Sequence, residues 1–137
     1  MTTKAFILSL SLSFLIAGCA KDGDPNGIDQ SQIVGPWKLV SLQTNPWDSD
    51  AIDLTDRHVV YKFEKDGVLV VDAGGETDVP HTDGQHTYAL NHEKIDGQMR
   101  LRLSIDNESW TYSLSDGQMI ISMAYVDGST LTFVRMN

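Results

Sequence analysis

The sequence predicts an all-β fold, an eight-stranded antiparallel up-and-down barrel, and three observations predict it. From Ile33 onward, apolar and polar residues alternate with period two, the side-chain period of a strand. The dipeptides Asp66-Gly67, Asp116-Gly117 and Asp127-Gly128 fall between such runs, where tight turns need residues that tolerate positive φ. No amphipathic helical pattern competes with either signal. A meander of short strands has two exposed edges, and closing it into a barrel removes the edges that invite aggregation.

The chain opens on a segment of a different kind. Lys4 precedes "AFILSLSLSFLIAG", an apolar run too short for a comfortable membrane span, with small residues just before Cys19. This pattern reads as a secretory signal over residues 1–18, and Ile16-Ala17-Gly18-Cys19 resembles the lipobox of bacterial lipoproteins. The resemblance implies cleavage before Cys19 and lipidation of Cys19, so the membrane is a partner through that anchor. Cys19 is the only cysteine, so no disulfide framework stabilises the exported chain. Ala20, rather than Asp, follows it, which by the same resemblance implies the outer membrane of a cell envelope, periplasm-facing or surface-exposed. Lys21-Asp22-Gly23-Asp24 loosely resembles the tag that sends some lipoproteins of the Bacteroidota to the surface. Residues 19–32 are rich in Gly and acid and read as a flexible tether, leaving 33–137 as the domain.

Within that domain the expected strands are 36–43, 58–65, 67–72, 86–91, 98–105, 109–115, 118–126 and 129–136. The first places Trp37 and Leu39 on one face, the second Tyr61 and Phe63, and the fourth Tyr88 and Leu90. The fifth and sixth contribute Leu101, Leu103, Trp110, Tyr112 and Leu114, and the last two Ile121, Met123, Leu131 and Phe133. "TYAL" then "DGQMRLRL" echoes "TYSL" then "DGQMIIS", which suggests two similar hairpins. With so many bulky inward residues, the interior is either filled or holds one small ligand, the two outcomes open to eight strands.

"IVGPWKLVSL", with Gly35-Pro36-Trp37, resembles the Gly-x-Trp first strand of lipocalins, and "TYSLSDGQMIISM" with "STLTFVRM" resembles the closing strands of small lipocalin-like bacterial lipoproteins. The resemblance implies a lipocalin-like (calycin) barrel with Trp37 at its closed base and an Arg packed over the ring. Arg135 is the candidate, since Leu131, Phe133 and Arg135 share one face. Two departures stand out: Pro36 follows the Gly, and the chain stops at Asn137, without the C-terminal helix of full-size lipocalins.

The formal net charge is -9, and removal of residues 1–18, whose one charge is Lys4, makes the mature chain more acidic still. That excludes nucleic acid as a natural partner, because polyanions bind basic patches. In a meander the odd connections share one end, so loops 44–57, 72–85, 106–108 and 127–128 rim the mouth. They carry eleven of the chain's 19 acids, opposed only by Arg57. The first loop holds Asp48, Asp50, Asp53 and Asp56 together with Trp47, Ile52 and Leu54, which would fold over the opening or pin the loop. Candidate ligand contacts are Trp47, Tyr61, Tyr88, Trp110 and Tyr112.

His58, His81 and His86 fall near the same end but without the short regular spacing of a metal motif, so no metal site and no cofactor is expected. No Gly-x-Ser-x-Gly elbow or phosphate loop occurs, and the expectation is a protein that is not an enzyme and has no catalytic residues. Two functions stay open: a lipid-anchored cup for a small apolar or cationic ligand, or an accessory lipoprotein with a filled barrel whose acidic loops contact a protein partner. An apolar pocket of several hundred cubic ångströms beneath Trp47 would favour the first, and a filled interior the second.

Overall fold

The computed structural model of the protein describes residues 29–47 and 50–137. Among the described residues nine strands run in order: β1 (Gly35–Gln43), β2 (Ile52–Asp53), β3 (Val60–Phe63), β4 (Val68–Asp72), β5 (Gly84–Ile95), β6 (Gln98–Ile105), β7 (Glu108–Ser115), β8 (Gln118–Ser122) and β9 (Thr130–Arg135). Every neighbouring pair is antiparallel, and β1 pairs with β9 to close the sheet. The result is an eight-stranded up-and-down barrel with β2 as an accessory strand.

β2 lies inside an expected loop, because two residues carry no periodicity of their own. It exists because β1 changes partner. Gly35 to Lys38 pair with β3, and on the same edge Ser41 and Leu42 pair with Asp53 and Ile52. On the other edge the register against β9 slips between Leu39 and Ser41, a bulge that bends the strand where the partner changes; the Val40 carbonyl accepts from the Leu54 amide at 2.9 Å.

The turns carry the expected chemistry with two differences. Asp116 and Gly117 both have positive φ (51° and 75°), as do Asp96 and Gly97 (50° and 81°), the geometry of a two-residue hairpin whose twist matches its strands. At Asp66-Gly67 only Gly67 is positive, and the pair belongs to a longer loop bridged by Glu64 and Val68. The strand expected to reach residue 126 ends at Ser122. Ala124–Val126 form a 3-10 turn instead, capped by Asp127 at φ 58°. A Cβ on Gly128 would lie 2.6 Å from that of Met123, so glycine is what lets the chain double back there.

β5 also runs longer than expected. From Asn91 to Lys94 its residues are polar on both faces and give no period-two signal, yet β5 remains paired to β6 as far as Ile95 and Gln98. The β5–β6 hairpin thus leaves the barrel wall as a two-stranded arm.

The core is the barrel interior. Trp37, Leu39, Tyr61, Phe63, Leu103, Ile121, Leu131 and Phe133 are fully enclosed, and Leu101, Tyr112, Leu114 and Met123 pack against them half-buried. Burying each large apolar side chain contributes about 1.5–3 kcal/mol, so this column of strand residues supplies the stability that no disulfide provides.

Candidate functional site

At the end where the chain enters the barrel, the Arg135 guanidinium carbon sits 4.3 Å from the Trp37 ring centroid. Trp37 and Arg135 are cross-strand partners, so the β1–β9 register itself stacks them. Trp37 donates from Nε1 to the Ile33 carbonyl at 2.7 Å. Arg135 donates to the Val34 carbonyl at 2.9 Å and to that of Gln32. The stack therefore ties the incoming chain to the closing strand. A Cβ at position 35 would stand 3.0 Å from Arg135 Nη1, where Gly35 has φ +119°, which explains physically why glycine precedes the tryptophan by two. Cys19 lies outside the described residues.

The opposite end is the mouth, and the β4–β5 connection closes it from within. Ala73, Val79 and His81 of that segment are buried, His81 to 4 % exposure. The His81 ring centroid lies 5.6 Å from Tyr61, 5.6 Å from His86 and 5.5 Å from Trp110, and Tyr61 continues the stack onto Phe133 at 5.0 Å. A packed aromatic column thus occupies the space where a cup would be open.

His81 and His86 are pushed in opposite directions. Burial, reinforced by the neighbouring His86, lowers the His81 pKa to about 4 despite Asp106 nearby, so His81 is neutral. Its Nδ1 lies 3.1 Å from the Tyr61 hydroxyl, and its Nε2 is 3.7 Å from a Glu108 carboxylate oxygen. The carboxylate favours the proton on Nε2, so Tyr61 donates to Nδ1; burial raises the Tyr61 pKa and keeps that phenol protonated. For His86 burial lowers the pKa, but hydrogen bonds to Asp106 (2.7 Å) and the Thr82 carbonyl (2.8 Å) outweigh it, and the net shift is upward. Two buried polar atoms, His81 Nε2 and Trp110 Nε1, have no hydrogen-bond partner among the described residues.

The five candidate ligand contacts are not brought together. Trp47 is 83 % exposed and covers no opening. Tyr61 and Trp110 belong to the packed column. Tyr88 packs edge-on against Phe63 at 4.9 Å, and its hydroxyl donates to the Glu64 carbonyl at the base end. Only Tyr112 lines a cleft, one of about 500 Å³ in the wall between β6 and β7.

Many rim acids hold loops. Asp53 accepts from the Thr55 amide at 2.9 Å, Asp72 from Gly74 at 3.0 Å, Asp83 from Ala73, and Asp106 from Thr87 at 3.0 Å. Short acidic side chains that satisfy backbone N–H groups are how irregular loops are fixed. Arg57 pairs with Glu76 at 2.7 Å. His58 pairs with Asp72 at 3.1 Å, apart from His81 and His86, and no group of three His, Cys, Asp or Glu suited to a metal ion occurs among the described residues.

Two residues that sequence reasoning passed over matter here. Arg102 is 6 % exposed although its position alternates to the outer face of β6, and the ring covering it at 4.3 Å belongs to Tyr125 of the 3-10 turn. Neither has a local signal, since an outward arginine and a loop tyrosine look the same whether or not they meet.

The fold defines a class: an all-β protein built on a closed eight-stranded antiparallel barrel plus one strand, consistent with a lipocalin-like barrel. No protein-family model matches the chain, and no curated protein matches its sequence.

Proposed function

We propose that this protein is a lipid-anchored cell-envelope lipoprotein whose barrel is a filled scaffold and whose acidic mouth docks another protein. The observation that carries the reading is His81 packed against Tyr61 and Trp110, which fills the upper interior from the β4–β5 connection. Around that plug stand three of the exposed large apolar residues, while Met99 and Met136 lie toward the base. Trp47 is 83 % exposed, Val126 56 % and Tyr125 52 %, and Ser129 Oγ donates to the Thr44 carbonyl at 3.2 Å to join their loops. Exposed aromatics framed by polar residues mark interaction surfaces, and tryptophan and tyrosine are frequent binding anchors. The surrounding Asp50, Asp53, Asp56 and Asp127 favour a partner with a basic patch. The lipobox-like Ile16-Ala17-Gly18-Cys19 supports the anchor, and the chain enters β1 at the base, so the mouth points away from the tether.

A small apolar or cationic ligand held in the cup has the acidic rim in its favour and the filled column against it. A photoreactive amino acid at position 47, compared with one at the exposed wall position 113, separates the readings. Docking predicts a discrete protein adduct in intact cells from position 47 alone, weakened when Asp50, Asp53 and Asp56 are changed to Asn. Equal labelling from both positions, or none from 47, would sink it.

A further inference from the structure

The β6–β7 ladder is incomplete. From the turn at Asp106 it runs as far as Arg102–Thr111 and stops. β6 nevertheless stays paired to β5 down to Gln98, and β7 to β8 down to Ser115. Residues 98–101 and 112–115 are therefore separated by a seam where the β5–β6 arm leaves the wall. A cleft of about 500 Å³ opens there, lined by Ile95, Leu101, Tyr112 and Tyr125, by Arg100 and Arg102, and by one acid, Asp96, at the turn. Small molecules are held in concavities of about 300–1,000 Å³ that are mainly apolar with a few placed polar groups.

Arg102 is such a group. Tyr125 covers its guanidinium and is itself pinned by its hydroxyl, which donates to the Ser109 carbonyl at 2.6 Å. Glu93 takes only the Nε proton, at 2.9 Å. The two terminal nitrogens hydrogen-bond to no described residue, although the side chain is 7 % exposed. Arg100, two positions along the same strand face, has no ion pair among the described residues. A planar fork of N–H donors that opens onto a cleft matches the two oxygens of a carboxylate, and charge-assisted bonds of this kind are about twice as strong as neutral ones. Leu101 and Tyr112 alternate to the inner face and offer an apolar floor beside it.

We infer that the seam between β6 and β7 binds a small apolar molecule bearing a carboxylate. The Arg102 fork and Arg100 receive the carboxylate, and Leu101, Tyr112 and Ile95 pack the hydrocarbon. This site lies in the wall toward the base and rests on different observations from the docking role of the rim, with which it shares only Tyr125.

The test titrates 4-phenylbutyrate, its neutral amide 4-phenylbutyramide and the cation 4-phenylbutylammonium into the full chain, with backbone amide shifts as the readout. The carboxylate should bind at least about tenfold tighter than the amide, with the cation weakest. Shifts should centre on residues 95–102 and 111–112. Arg102→Gln should bring the carboxylate down to the affinity of the amide, while Arg102→Lys, which keeps charge but loses the fork, should fall between. If Arg102→Gln does not fold, the exposed Arg100→Gln should still cost the carboxylate severalfold and leave the amide unchanged. Equal affinity for carboxylate and amide, shifts centred on the mouth loops, or no carboxylate binding at millimolar concentration overturns the assignment. None of these outcomes bears on crosslinking from position 47.

Discussion

The Tyr61 hydroxyl and His81 Nδ1 lie 3.1 Å apart in the sealed upper barrel, joining a strand to the connection that plugs it. Because burial depresses the His81 pKa to about 4, the unfolded chain binds a proton there that the folded chain refuses between that value and the ordinary 6.5. The stability contributed by neutral His81 is complete above about pH 6.5 and is lost as pH falls toward 4, up to about 3 kcal/mol. His86, with its pKa raised, contributes with the opposite sign: its share is present below the unfolded value and fades as pH rises through the folded one. Urea melts from pH 4 to 7 should show a net loss on the acid side, and His81→Leu should flatten it. A slope unchanged by that substitution would place the acid sensitivity elsewhere.

The base stack should behave as a coupled unit. Trp37 is fully enclosed, and Trp37→Ala should cost about 3–5 kcal/mol. Arg135→Ala removes both the ring contact and the donors to Val34 and Gln32, a loss of about 1–3 kcal/mol. Since each change destroys the other's contact, the double variant should be less destabilised than the sum, by about 0.5 kcal/mol or more in a denaturant cycle.

The rim acids should divide into structural and solvated groups. Asp106 accepts from both His86 and the Thr87 amide, so Asp106→Asn should lower stability by about 1 kcal/mol and move the His86 pKa down, as read by NMR titration. Asp50→Asn with Asp56→Asn, at exposed positions, should stay within about 0.5 kcal/mol of the parent. Equal losses from both sets would mean that the loop hydrogen bonds contribute nothing.

Cys19→Ser tests the anchor directly. The substituted protein should accumulate as an unprocessed precursor or leave the membrane fraction, as judged by mass and fractionation. A fully processed Cys19→Ser protein that stays membrane-bound would remove the lipoprotein reading.

The sequence by itself determined the all-β class, the closed meander and which face of each strand turns inward, because strand periodicity and hairpin turns are local properties carried by adjacent residues. Leu103, Trp110, Ile121 and Phe133 are buried where alternation placed them. The resemblance of Gly35-Pro36-Trp37 to the lipocalin first strand, with parity agreeing, pointed to Trp37 and Arg135 meeting at one end. Only the tertiary structure decided whether the barrel is open. His81 sits in a polar stretch whose local pattern asks for a solvated loop, and it is buried because Tyr61 and Trp110, 20 and 29 residues away in sequence, leave room for one more ring. The Arg102 cleft has the same origin: it depends on where the β6–β7 ladder stops and on Tyr125 folding back across the sheet. Such sites arise from contacts between distant segments, whose energies depend on distances that no local pattern encodes.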